Sequence, residues 1–338
     1  MARDWSGKIT KRVPMFTYRA ALLIVLVSIS SVLLHCIKRE EPITRPPAIY
    51  GTCEANWGSQ DWIVFVHQPW YVVANETLFV TETSVLWLIR PDGKGLHSIG
   101  EPRTPDGIRI GDQPDWDSAG NWIVINDLML RVWKISADGD SIVQITTEGR
   151  KIYPSLSPDG QMLAFSTPDS DAVGPRGIRI LDLQSGMEKH IYPYGHDPAW
   201  SPDGEKLVFC GWVSGASAIM IVDTSGGNAS AIYTTGAGVE SPSFAPDGSA
   251  VVFCTPYGWG TQVWVVNTDG SGARKLTTDG GRWPSWSSDG SKIVYTKYSL
   301  DEPYPEGNGE LYVIDPDGLL EKRITFLNYG EDWGGVYE

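Results

Sequence analysis

The chain has 338 residues, with 37 glycines, 23 prolines, 15 tryptophans against 8 phenylalanines, and 41% hydrophobic residues. That is apolar material enough for a sizeable core, and it excludes intrinsic disorder. A formal charge of −14 excludes the basic face that nucleic acid needs, and four cysteines in this length exclude a disulfide scaffold.

Residues 1–19 form a basic tail, carrying Arg3, Lys8, Lys11, Arg12 and Arg19 against Asp4. Residues 20–37, AALLIVLVSISSVLLHCI, carry no formal charge. As a helix they reach about 27 Å, close to the ~30 Å thickness of a bilayer's hydrocarbon. A transmembrane or signal helix is expected here. The basic excess before it keeps the N-terminus in the cytoplasm and puts the rest on the periplasmic or extracellular side. Leu33-Leu34-His35-Cys36 is similar to a lipoprotein cleavage box, but His35 stands where that box has a small residue. An uncleaved anchor is therefore preferred over lipidation at Cys36. Residues 38–54, with Pro42, Pro46 and Pro47, read as a stiff spacer.

Residues 55–338 are repetitive. One phrase recurs as Pro114-Asp-Trp116-Asp-Ser-Ala-Gly120, Pro154-Ser-Leu156-Ser-Pro-Asp-Gly160, Pro198-Ala-Trp200-Ser-Pro-Asp-Gly204, Pro242-Ser-Phe244-Ala-Pro-Asp-Gly248 and Pro284-Ser-Trp286-Ser-Ser-Asp-Gly290. Its prolines stand 40 to 44 residues apart. After each glycine comes a β-rich run such as Met162-Leu-Ala-Phe165, and then a second such as Val263-Trp-Val-Val266. Trp62-Ile-Val-Phe65 and Leu86-Trp-Leu-Ile89 supply a sixth, degenerate unit. Four short strands at this period are the signature of a propeller blade. The fold class expected is all-β: a six-bladed β-propeller preceded by one N-terminal transmembrane or signal helix.

The repeated phrase resembles that of the TolB-like propellers, built from WD40-like repeats, and the resemblance covers residues 56–338. It implies an extracytoplasmic, protein-binding propeller. The family's namesake has an α/β domain ahead of its propeller; here a short spacer takes that place. Prolyl oligopeptidase-type propellers are similar too, but no Gly-x-Ser-x-Gly nucleophile elbow is present in the chain.

Strand order sorts the loops onto two faces. The Pro-Asp-Gly and Asp-Gly turns share one face, and the segments before each repeat proline share the other, around the channel mouth. Two residues before the proline stand Asp112, Ile152, His196, Glu240 and Arg282; one before stand Gln113, Tyr153, Asp197, Ser241 and Trp283. Asp332-Trp333-Gly334 aligns with Arg282-Trp283-Pro284, so 330–338 is expected to supply the innermost strand of blade one. The ligand-binding set expected is therefore Asp112, Gln113, Tyr153, His196, Asp197, Glu240, Arg282, Trp283, Asp332 and Trp333. Loop aromatics including Trp70, Trp212 and Trp259 surround it. The mouth is acidic and aromatic, suited to basic side chains or to stacking on peptide groups and sugars. Trp116, Trp200 and Trp286 read instead as blade packing.

No cofactor, catalytic residue or metal site is expected. The five histidines show no pair at ligand spacing, and there is no Cys-x-x-Cys. The carboxylates Asp197, Glu240 and Asp332 are the set that could take Ca²⁺, which needs no histidine. Cys210 and Cys254 share one register in adjacent blades, too far apart for a disulfide, and read as small buried hydrophobes. The function expected is a non-enzymatic, membrane-tethered, extracytoplasmic propeller that holds a protein or peptide at its mouth. The alternative is a receptor or enzyme for a glycan.

Overall fold

In a computed structural model, the described residues are 48–58, 60–74, 77–79, 85–100, 103–108, 114–147, 150–167, 177–255, 261–298 and 309–325. They form six antiparallel sheets arranged as a closed ring, a six-bladed β-propeller. All lie in one compact unit, Arg45–Glu338. No described residue is helical, and none belongs to a helix long and apolar enough to cross a membrane. The expected helix at 20–37 lies outside the described residues.

Each blade runs outward from the channel in sequence order. In blade four, for example, the strands are His196–Trp200, Lys206–Val213, Ala216–Asp223 and Ser230–Thr235. The innermost strands of the other blades are Ala48–Trp57, Asp115–Trp116, Ile152–Leu156, Glu240–Phe244 and Arg282–Trp286. Each touches the innermost strand of the next blade, and Ala48–Trp57 touches both Asp115–Trp116 and Arg282–Trp286. That double contact closes the ring.

Closure departs from expectation. The innermost place in blade one belongs to Ala48–Trp57, where the sequence had suggested 330–338, a segment outside the described residues. The strand also starts ahead of the expected boundary at residue 55. Ala55-Asn56-Trp57 is a sixth copy of the phrase without its proline, which is why it escaped alignment. The seam is apolar. Trp57, Ile63, Phe65 and Ile89 of blade one pack with Val294, Leu311, Val313 and Ile324 of blade six.

The second strand of every blade is buried on both faces, because a neighbouring blade covers each side. Its sequence is therefore a continuous apolar run and not an alternating one. Phe65, Phe165, Phe209, Phe253 and Tyr295 recur at one position in this strand, all fully buried. Trp116 and Trp286 belong to the inter-blade cores, and the half-buried Trp200 packs against another, as expected of the phrase aromatics.

The phrase also makes its own turn. In blade three, the Asp159 carboxylate accepts hydrogen bonds from the Ser157 hydroxyl (2.5 Å) and the Gln161 N–H (3.0 Å). Ser157 in turn accepts from the Met162 N–H at 2.9 Å. Gly160 closes the turn at φ 69°, a left-handed conformation that a side chain disfavours. The Ser157 hydroxyl and the Gln161 N–H hold the Asp159 carboxyl below its ordinary range. Blades four and six repeat the arrangement at Ser201-Asp203 and Ser287-Asp289.

Candidate functional site

The mouth is built by one backbone device used four times. Ile152, His196, Glu240 and Arg282 pair with Ser166, Cys210, Cys254 and Thr296 of their second strands, and then the register slips. The next residue, Tyr153, Asp197, Ser241 or Trp283, takes a positive φ between 48° and 54°. The proline that follows has no N–H for the ladder, so the bulge falls where the proline removes a bond. Positive φ at a non-glycine residue costs on the order of 1–2 kcal/mol. The bulge brings the side chain before the proline to the wall of the central channel, a cavity of about 610 Å³ to which every blade contributes.

Six of the expected residues converge here. The Asp197 carboxylate, only 8% exposed, accepts a hydrogen bond from the Ser241 N–H at 3.0 Å. His196 Nδ1 stands 3.7 Å from the same oxygen. The His196 ring lies between Tyr153 at 6.2 Å and Trp212 at 5.5 Å, centroid to centroid. Burial raises the Glu240 carboxyl above its ordinary range, and the charge of Asp197 adds to this; Arg282 and His196 pull the other way. Arg282 donates from Nε to the Thr261 hydroxyl at 3.3 Å, and its guanidinium lies 5.7 Å from the Trp283 ring. Tyr153, Asp197, Glu240 and Trp283 line the channel. Asp112, Gln113, Asp332 and Trp333, and the loop aromatics Trp70 and Trp259, belong to stretches whose side-chain placement lies outside the described residues.

Two further residues escaped the sequence reading. Asp115 sits within the channel, where burial pushes its carboxyl up to about 6. Hydrogen bonds from Ser155, the N–H groups of Trp116 and Leu156, and Asn56 oppose that rise. The signal was the middle residue of the phrase: blades three to six have Ser155, Ala199, Ser243 and Ser285 there, and only blade two has an acid. Cys210, fully buried, is the other. Burial drives its thiol well above the ordinary value, and the charge of Asp197 is the next contribution. Cys254 is likewise free and buried, its thiol pushed up to about 12 chiefly by desolvation. Both cysteines are thus buried as expected, but Cys210 also faces the mouth cluster.

Outside the rim, Tyr192, Pro193, Tyr194 and Trp212 enclose a second cavity of about 340 Å³. Tyr194 is 64% exposed, and Trp212 joins this shelf to His196.

The pattern of the TolB beta propeller domain family matches residues 127–303. An uncharacterised protein of Agrobacterium fabrum is 30% identical over 124 residues, 32% of this chain. The chain thus spans only 42% of that relative's length. Among solved structures, a TolB-assigned protein of Agrobacterium tumefaciens superposes with a TM-score of 0.60 at 21% identity, over 71% of this chain and 88% of its own. TolB of Acinetobacter baumannii gives 0.59 at 16% identity, over 87% and 67%. An oligogalacturonate lyase of Vibrio parahaemolyticus gives 0.52 at 12% identity, over 84% and 79%. At these identities the structural likeness is one of fold.

Proposed function

The chain belongs to the TolB beta propeller family, and from that premise we propose that it is a membrane-tethered, extracytoplasmic propeller that binds a protein or peptide and does no chemistry on it. The binding surface is the channel mouth. One observation carries the reading: Asp197 and Glu240 both line the channel, near enough for the charge of Asp197 to raise the Glu240 carboxyl, with Tyr153 and Trp283 on the same wall and Trp212 beside His196. Two carboxylates so placed repel each other, and a Lys or Arg side chain from a partner relieves that repulsion while the rings stack on its peptide groups. The uncharged stretch 20–37 supports the tether, and the basic tail before it supports the orientation.

A basic peptide titrated into the protein is expected to bind, and to lose affinity steeply as salt rises. Asp197→Asn with Glu240→Gln is expected to weaken it at least tenfold in calorimetry. Undiminished binding by that double variant overturns the site.

A glycan receptor or glycan-degrading enzyme is the second reading, favoured by the aromatic shelf of Tyr192, Pro193, Tyr194 and Trp212. Sugar stacking responds little to salt, so the same titration separates the two.

A further inference from the structure

Across the first ladder of blade four, Cys210 stands opposite His196, and the bulge brings Asp197 to the same place. One donor atom from each of the three lies within 4.8 Å of the others, and Nδ1 to Oδ2 is 3.7 Å. Among the described residues no other three His, Cys, Asp or Glu side chains converge in this way. We infer that His196, Asp197 and Cys210 bind a divalent transition-metal ion of the zinc type.

The donor set fits. Zinc takes imidazole nitrogen, carboxylate oxygen and thiolate at about 2.0–2.3 Å, which puts tetrahedral ligands about 3.3–3.8 Å apart. The Nδ1–Oδ2 separation is already in that range, and the other two need to shorten by about 1 Å at most. Charge fits as well. Asp197 is buried, its ion-pair partner among the described residues is His196, and Glu240 adds a second carboxylate beside it. A dication neutralises that pair in place. The Ser241 N–H holds the Asp197 carboxylate in orientation, as an outer partner of a metal ligand does. Three protein ligands leave a fourth position for water, and of the three Asp197 lines the channel.

The fold itself does not require these residues. At the same three positions blade three has Ile152, Tyr153 and Ser166, blade five has Glu240, Ser241 and Cys254, and blade six has Arg282, Trp283 and Thr296. Binding involves no redox change: the Cys210 S–H bond breaks, its proton leaves to solvent, and a sulfur–metal bond forms. The inference goes beyond the protein-binding reading but shares Asp197 with it, so a bound cation competes with a basic side chain there; the two failures stay distinguishable, since the readout here is the metal alone.

The test is a Co²⁺ titration of the purified full-length chain, stripped with a chelator and kept reduced. A thiolate-to-cobalt absorption band is expected, saturating at one equivalent and displaced by Zn²⁺. Cys210→Ser removes the band, and the position accommodates serine, as Ser166 does at the same register in blade three. Cys254→Ser keeps it. His196→Ala and Asp197→Asn weaken Co²⁺ binding tenfold or more. Should Cys210→Ser fail to fold, the melting temperature decides: Zn²⁺ raises it in the natural chain and not in His196→Ala. No band in the natural chain, a band surviving Cys210→Ser, or one lost in Cys254→Ser overturns the assignment.

Discussion

Blades four and five are near copies. Each has the slipped register after its first residue, a positive φ before the proline, a fully buried phenylalanine and a cysteine opposite the strand's first residue. They differ at the two residues that this backbone presents at the mouth: His196-Asp197 in one, Glu240-Ser241 in the other. The difference separates two kinds of position. Residues that make the blade are repeated, and residues that the blade displays are free to vary, so each blade brings its own chemistry on a common frame.

The frame is the place to break the comparison first. Phe209→Ala and Phe253→Ala each remove a ring from an equivalent inter-blade core. Each is expected to cost about 3–5 kcal/mol in urea unfolding, and the two losses should agree. Unequal losses would mean that the blades are not equivalent frames.

A smaller effect is expected at Asp115, whose carboxyl gives up its proton less readily in the channel than in the unfolded chain. Its carboxyl goes from an ordinary 3.8 to about 6 on folding, so the folded state binds the proton more tightly than the unfolded chain does. Stability therefore falls as pH rises from about 4 to about 6, and stays lower above that. At 1.36 kcal/mol per unit the loss is of the order of 3 kcal/mol. Asp115→Asn is expected to recover about that amount at about pH 8 and almost nothing at about pH 4, as melting curves at both values will read.

The smallest effect tests the bulge. Ser241→Gly removes the side chain from a residue at φ 52° and is expected to stabilise the fold by about 0.5 kcal/mol or less, since relief of strain exceeds the entropy that glycine loses. A clear loss of stability would mean that the serine side chain, and not the proline register, holds the bulge.

Much of this was legible in the sequence. A seven-residue phrase with its Pro-Asp-Gly turn marked five blades and the two faces, the apolar runs at Trp62 and Leu86 supplied the sixth blade, and counting back from the proline picked out Tyr153, His196, Asp197, Glu240, Arg282 and Trp283. What escaped did so for physical reasons. Ala55-Asn56-Trp57 lacks the proline on which the alignment hung, so the closing strand was sought at the wrong end. Asp115 lies inside the phrase, among residues read as packing. Cys210 looked like a small hydrophobe because only ladder register sets it opposite His196, fourteen residues away along the chain. The stretch 20–37 and the residues around Asp112 and Asp332 lie outside the described residues.

The seam between blades one and six has a mechanical consequence. Sheets wedged against both neighbours around a full turn give the aperture no way to dilate without tearing apolar contacts at a joint. Whatever penetrates the bore must arrive slender, as an unfolded segment or a short chain of rings. A globular body can only rest against its rim.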